Sequence, residues 1–125
     1  MAEVLIVEDE ADTREVLGKI LERAGHVVRS AHDGREAVSQ VTLNAPDVVV
    51  LDLLMPTMNG ADFLETVRAY RRFRSLPVVV LTAVSSHPLL DQARDLGVHS
   101  VLLKTKATFE DIRQAIEDAL RAKKA

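Results

Sequence analysis

Cysteine is missing from all 125 residues, which removes a disulfide framework, a thiol nucleophile and any cysteine-based metal site, and fits a reducing compartment. Charge of one sign is missing as well. Sixteen basic residues stand against 19 acidic ones for a net charge of -3, so nothing draws the chain as a whole toward nucleic acid or an anionic membrane. No direct nucleic-acid or membrane partner is expected. No apolar run approaches the length of a membrane span, and the short one near Met1 lacks the basic leader and cleavage pattern of a signal peptide. The expected location is the cytoplasm. Linker-like and low-complexity stretches are absent too. His26, His32, His87 and His99 lack metal-ligand spacing, with no pair in an H-x-x-x-H helix, and read as surface or strand-end residues.

What is present is a regular alternation. Short β-branched apolar runs, at Glu3 to Val7, Val27 to Ala31, Asp47 to Leu51, Pro77 to Leu81 and Ser100 to Leu103, are separated by segments with apolar residues at helical spacing. Several runs are nearly continuous in Val, Leu and Ile, which predicts burial on both faces of a parallel sheet covered by helices. A hydrophobic content of 47% is enough for one sizeable core at this length. Val16, Leu17, Ile20, Leu21 and Ala24 trace the first helical stripe, stopped by Gly25. Asp33-Gly34 opens a second helix with Ala37, Val38 and Val41 inward, and Asn59-Gly60 a third with Phe63, Leu64 and Val67. Leu89, Leu90, Ala93 and Leu96 mark a fourth, ended by Gly97. Thr108 with Asp111 forms a capping box with Asp in place of Glu, and Phe109, Ile112, Ile116, Ala119 and Leu120 make a last amphipathic face. The closing Arg121-Ala122-Lys123-Lys124-Ala125 reads as a fraying helix end. Arg68, Arg71, Arg72 and Arg74, with Tyr70 and Phe73 interleaved, read as a solvated helix end and loop in preference to a nucleic-acid contact.

Right-handed crossovers put the carboxyl end of every parallel strand on one edge of the sheet, where open α/β sheets bind ligands. The residues at those ends are Glu8 and Asp9, Asp52, Thr82 and Lys104. Three carboxylates brought together cannot all stay ionised unless something cationic joins them. A hard cation suits them, Mg2+ in particular, since it is held by one or two carboxylates, a carbonyl, waters and phosphate oxygens. Lys104 adds a second positive charge that can pair with Asp52 or with a phosphoryl group. Each residue alone has a plainer role: helix N-terminal charge for Glu8 and Asp9, turn residue for Asp52, backbone-bonded hydroxyl for Thr82, solvated amine for Lys104. Their joint placement on one edge is what argues for a site.

Over essentially its whole length the chain resembles the receiver domains of two-component response regulators, the CheY-like superfamily. Glu8-Asp9 is similar to the family's acidic pair, D-L-L-M-P-T-M-N-G from Asp52 to Gly60 to its phospho-acceptor loop, and Thr82-Ala83 and Lys104 fall where its switch hydroxyl and lysine belong. The resemblance implies one receiver domain over residues 1–125 with no output domain. It also implies an α/β, flavodoxin-like, doubly wound sheet of five parallel strands in the order 2-1-3-4-5, with five flanking helices. By the same resemblance Asp52 accepts a phosphoryl group from a sensor histidine kinase or phosphotransfer domain. Mg2+ would be held by Glu8, Asp9, Asp52 and the backbone carbonyl of Leu54. Lys104 would touch another phosphate oxygen, and Thr82 would bond the phosphate and bias two conformations. Such a domain is no turnover enzyme, catalysing only its own phosphoryl transfer and slow loss. The first helix and the loop after Lys104 would meet the kinase's helical phosphotransfer domain, and the last two helices an output protein of unknown identity. A homodimer is also open to it.

Three residues depart from the family's pattern. Thr105 follows Lys104 where proline, often after a cis bond, is usual. A non-proline cis bond costs about 3 kcal/mol, so a trans bond is expected. Val101 stands where many receivers carry an aromatic that rotates inward, and a β-branched side chain cannot make that swing. Leu54 and Val84 flank the approach of hydrolytic water without a group to orient it, which predicts slow dephosphorylation. Among other classes, a haloacid-dehalogenase-like phosphatase would need a second Asp where Leu54 stands, and a nucleotide or flavin module a glycine-rich loop where Glu8-Asp9-Glu10 would repel phosphate. A phosphorylation-independent pseudo-receiver is the remaining alternative.

Overall fold

In the computed structural model, which describes residues 1–124 and side chains through Ala122, five parallel strands lie in the order β2-β1-β3-β4-β5. They are β1 (Glu3–Val7), β2 (Val27–Ala31), β3 (Val48–Leu51), β4 (Val78–Thr82) and β5 (Ser100–Leu103). The helices between and after them are α1 (Ala11–Arg23), α2 (Gly34–Leu43), α3 (Gly60–Arg68), α4 (Pro88–Leu96) and α5 (Phe109–Lys124), with a 3-10 turn at Arg71–Phe73. Order and architecture are those of the flavodoxin-like expectation. None of the described helices is long and apolar enough to cross a membrane.

Strand side chains alternate between two apolar layers, as the period of two requires. Leu5, Val7, Val49, Leu51, Val78 and Val80 meet Phe63, Leu64, Val67, Leu90 and Ala93 on one face. Val4, Ile6, Val48, Val50, Val79 and Leu81 meet Leu17, Leu21, Ile112, Ile116 and Ala119 on the other. Burial on both faces holds for the middle strands and not for β2 or β5, where Val27 is 44% exposed and every β5 residue half-buried. An edge strand has a neighbour on one side only and a helix cannot wrap its rim. The first helical stripe is narrower than its apolar letters suggest, because α1 buries Leu17 and Leu21 while Val16 and Ala24 stay exposed. Phe109 is exposed as well.

The helix starts follow the caps read from sequence. Asp33 accepts the Glu36 amide at 2.8 Å, Asn59 the Asp62 amide at 2.9 Å, and Thr108 and Asp111 bond each other's amides at 3.0 and 2.9 Å. Gly25 and Gly97 sit at φ +96°, in the left-handed region that stops α1 and α4. The helical end expected to fray runs on as α5 through Lys124; Ala125 and the side chains of Lys123 and Lys124 lie outside the described residues.

Two sequence readings narrow. Of the surface and strand-end readings the second holds for His26, which directly precedes β2 and is buried: its Nδ1 accepts the Ala2 amide at 3.2 Å, and its Nε2 faces Glu117 at 3.5 Å. Half of the arginine cluster is structural. Arg68 donates to the carbonyls of Phe73 at 2.6 Å and Gly97 at 2.8 Å, tying α3 to the turn after it and to the end of α4. Arg72 lies 4.6 Å over the Phe73 ring and reaches the Thr42 carbonyl at 3.3 Å. Arg68→Ala should therefore cost about 2 kcal/mol, seen as a lower urea midpoint, whereas the exposed Arg71→Ala should stay within about 0.5 kcal/mol of the parent.

Candidate functional site

The pairing register brings the strand ends level. Val7 lies opposite both Ala31 and Leu51, and Thr82 opposite Leu103, so the residues that follow emerge on one edge. Their backbone stays tied to the sheet. Glu8 N donates to the Ala31 carbonyl at 3.0 Å, Asp52 N to the Val7 carbonyl at 3.0 Å, and Lys104 N to the Thr82 carbonyl at 2.8 Å. All five residues at the strand ends thus share one edge of the sheet.

Lys104 is the centre of the cluster. Its Nζ lies 2.5 Å from Glu8 Oε1 and 3.3 Å from Asp52 Oδ2, bridging two carboxylates that are 2% and 5% exposed. Burial pushes the carboxyls of both Glu8 and Asp52 above their ordinary range. For Glu8, Lys104 and the Glu10 amide pull the other way and the Asp52 charge adds to the rise; for Asp52, Lys104 and the Leu54 amide oppose it and the Asp9 charge adds to it. For the amine, burial pulls downward, but the hydrogen bond to Glu8 and the charge of Asp52 outweigh it and hold Lys104 above its usual value. One ammonium does not balance the acids.

Exposed Asp9 completes a group in which Glu8, Asp9 and Asp52 each offer a carboxylate oxygen, all within 4.8 Å of one another. Hard oxygen donors at that spacing suit a divalent cation such as Mg2+. Thr82 is fully buried at the end of β4, its Oγ1 accepting the Val84 amide at 3.4 Å. Leu54 N donates to Asp52 Oδ1 at 3.3 Å.

A match to the sequence profile described as the response regulator receiver domain spans residues 4–117. This chain belongs to that family. It is 40% identical over 118 residues to the transcriptional regulatory protein PdtaR of Mycobacterium tuberculosis, covering 94% of this chain and 56% of that protein. The chain thus spans little more than half of that regulator. A probable chemotaxis protein CheY of Rhizobium etli is 34% identical over 122 residues, covering 97% of this receiver and 94% of the relative. Among solved structures, chemotaxis protein CheY4 of Vibrio cholerae superposes with a TM-score of 0.87 at 29% identity, covering 95% of this chain and 98% of that one. Receivers are signalling modules of two-component systems, and they bind Mg2+ in an acidic pocket of the kind that Glu8, Asp9 and Asp52 form here.

The departures from the family pattern take definite shape in this receiver. There is no cis peptide bond among the described residues, so Lys104-Thr105 is trans as expected. Val101 is half-buried against the layer that holds Leu89 and Leu96. Leu54 is 37% exposed and Val84 half-buried. Sequence reading passes over Arg14, whose Nη1 donates to the carbonyls of Glu8 at 2.8 Å and Asp9 at 3.1 Å and so fixes the acidic loop. Its only sequence signal is a cation in the first turn after an acidic pair. Thr57, in the loop between β3 and α3, stands at φ +69° with Met58 N on the Pro56 carbonyl at 2.8 Å. That tight γ-turn holds a β-branched residue in a conformation costing about 1–3 kcal/mol.

Proposed function

We propose that this receiver accepts a phosphoryl group on Asp52 from the phosphohistidine of a sensor kinase or phosphotransfer domain and passes the resulting conformational change to an output partner. The observation that carries the reading is Lys104 bridging Glu8 and Asp52, with Asp9 completing the acidic group, at the switch point of the sheet. One Asp52 oxygen attacks phosphorus as the phosphorus–nitrogen bond of the phosphohistidine breaks, and the electron pair leaves on the imidazole, which takes up a proton from water. Glu8, Asp9, Asp52 and the Leu54 carbonyl would hold Mg2+, which when bound supplies neutralisation of the charge on the reacting oxygens. Lys104 exchanges carboxylate oxygen for a phosphoryl oxygen. Thr82, whose oxygen accepts from Val84, keeps its hydroxyl hydrogen to donate to the phosphoryl group and so sense it.

A groove of about 320 Å³ supports the proposed donor side. It runs beside Lys104 between α1 and the start of α5, with exposed Val16 and Phe109 on its rim and Leu17, Ala107 and Ile112 beneath. An apolar groove next to the acceptor suits the helical domain that carries a phosphohistidine. The cytoplasm, where such kinases present that residue, is the proposed location. The test is a gain of one phosphoryl mass on incubation with Mg2+ and acetyl phosphate, absent when the metal is chelated. No gain with that donor or with a cognate kinase would favour the pseudo-receiver.

Dephosphorylation should be slow, because neither Leu54 nor Val84 offers an atom that can orient water. Leu54→Asn or Val84→Glu is expected to speed phosphoryl loss by roughly tenfold, followed by mass spectrometry after removal of the donor. Loss no faster than in the parent would acquit the apolar flank.

A further inference from the structure

We propose that His87 is a releasable cap on α4 through which the state of Asp52 is read, a role that rests on the phospho-acceptor reading above. Its Nδ1 accepts the Leu89 amide at 3.0 Å, and its carbonyl takes the amides of Leu90 at 3.0 Å and Asp91 at 3.3 Å. Pro88, first residue of the helix, has no amide to hold. The first turn of α4 therefore hangs on this one residue. Asp33 and Asn59 cap α2 and α3 with side-chain oxygens, and a reciprocal Thr108–Asp111 pair opens α5. Histidine is not among the side chains that cap strongly.

Position gives the cap its meaning. Only residues 83 to 86 separate His87 from Thr82, the hydroxyl that senses the phosphoryl group. When Thr82 turns its hydrogen bond to phosphate, this loop is drawn toward Asp52. The body of α4 cannot follow. Leu90 and Ala93 are buried in the core, Arg68 holds the Gly97 carbonyl at 2.8 Å, and Gln92 bonds Glu65 on α3 at 3.1 Å. A pull on one end of an element anchored at the other is taken up where the two are joined, and there the one side-chain bond is the histidine cap on the Leu89 amide. Leu89 also packs with Val101 against the same core layer, so release of its backbone loosens the support of β5. The signal reaches the α4–β5 surface with no rotating aromatic at position 101.

Amide exchange read by NMR, with and without Mg2+ and acetyl phosphate, decides this, the mass gain reporting that Asp52 is loaded. In the parent, loading should speed exchange at Leu89, Leu90 and Asp91 roughly fivefold, the size of a lost cap. His87→Ala should exchange that fast already and change less than about twofold on loading. His87→Asn, which returns a capping oxygen, should restore slow exchange in the unloaded protein. Exchange unchanged or slower in a parent whose mass shows it phosphorylated would overturn the proposal. So would an unloaded alanine variant that exchanges like the parent. Failure of the mass gain would count instead against the phospho-acceptor reading, and the unloaded comparison of the two variants would still decide the cap.

Discussion

Asp52→Asn should take up no phosphoryl group from acetyl phosphate and Mg2+, and, metal-free at neutral pH, it should unfold at a higher temperature than the parent. Loss of phosphorylation follows from the missing nucleophile, since a carboxamide oxygen carries no charge to attack phosphorus. The gain in stability follows from burial. Asp52 is 5% exposed, and its carboxyl is raised above its ordinary range by desolvation that Lys104 and the Leu54 amide only partly offset. The folded state therefore binds a proton on Asp52 more tightly than the unfolded state does. Its contribution favours folding below the unfolded carboxyl range and is lost as pH rises through the raised folded value. At neutral pH the native protein carries that cost in full. Asn removes it, keeps an oxygen for the Leu54 amide, relieves the charge of Asp52 on Glu8, and leaves Lys104 its 2.5 Å partner in Glu8. The advantage should be on the order of 1 kcal/mol and should shrink toward zero as pH falls and the parent's Asp52 protonates. Thermal melts of both proteins across that range check it. An Asn variant less stable than the parent at neutral pH would mean that Lys104 more than compensates the buried charge.

Gly60→Ala is expected to be the most damaging single methyl group where the loop after β3 enters α3. A Cβ at Gly60 would run into the Asp52 carbonyl oxygen and would stand 2.8 Å from Leu53 Cα and 3.0 Å from the Asp52 carbonyl carbon. All three are backbone atoms, so no rotamer change can make room. Gly60 N is itself bonded to the Leu53 carbonyl at 3.0 Å, which pins the start of α3 against the strand that presents Asp52. We expect a loss of about 3 kcal/mol, a fall in the melting midpoint of roughly 10 °C, and slower phosphorylation because Asp52, the proposed acceptor, is pushed out of line. Gly18→Ala makes the contrast. Its added carbon would meet nothing nearer than Val28 Cγ1 at 3.8 Å, and in mid-helix it should gain about 0.5–1 kcal/mol. If Gly60→Ala melted within a degree or two of the parent, the close approach would not govern the loop.

Both glycines at helix starts show what one sequence can reveal. Asp33-Gly34 and Asn59-Gly60 read correctly as cap-plus-opening pairs, because capping is local: a side-chain oxygen three residues from the amide it holds. Their second reason for being glycine is not local. A Cβ on Gly34 would strike the Met58 carbonyl at 2.6 Å, a residue of another loop that no spacing rule names. The same divide separates Thr108–Asp111, legible as a capping box, from His87, whose ring nitrogen caps α4 and which reads as one more surface histidine. Arg68 and His26 follow suit. Chemistry alone leaves Arg68 in solvent and His26 at the surface or a strand end, and each is taken inward by partners that arrive from distant segments, Gly97 for one, Ala2 and Glu117 for the other.

By itself the sequence determined the alternation of strands and helices, the flavodoxin-like order through its family resemblance, and the five residues at the strand ends. Period, caps and strand ends depend on neighbours a few positions apart, which a linear chain displays. Tertiary structure alone decided how far the rim strands stay open to solvent, that Lys104 lies nearer Glu8 than Asp52, that Arg14 holds the acidic loop, and that Gly60 abuts the Asp52 backbone. Those are matters of ångströms between residues tens of positions apart, set by the packing of whole layers, and no pattern along the chain encodes them.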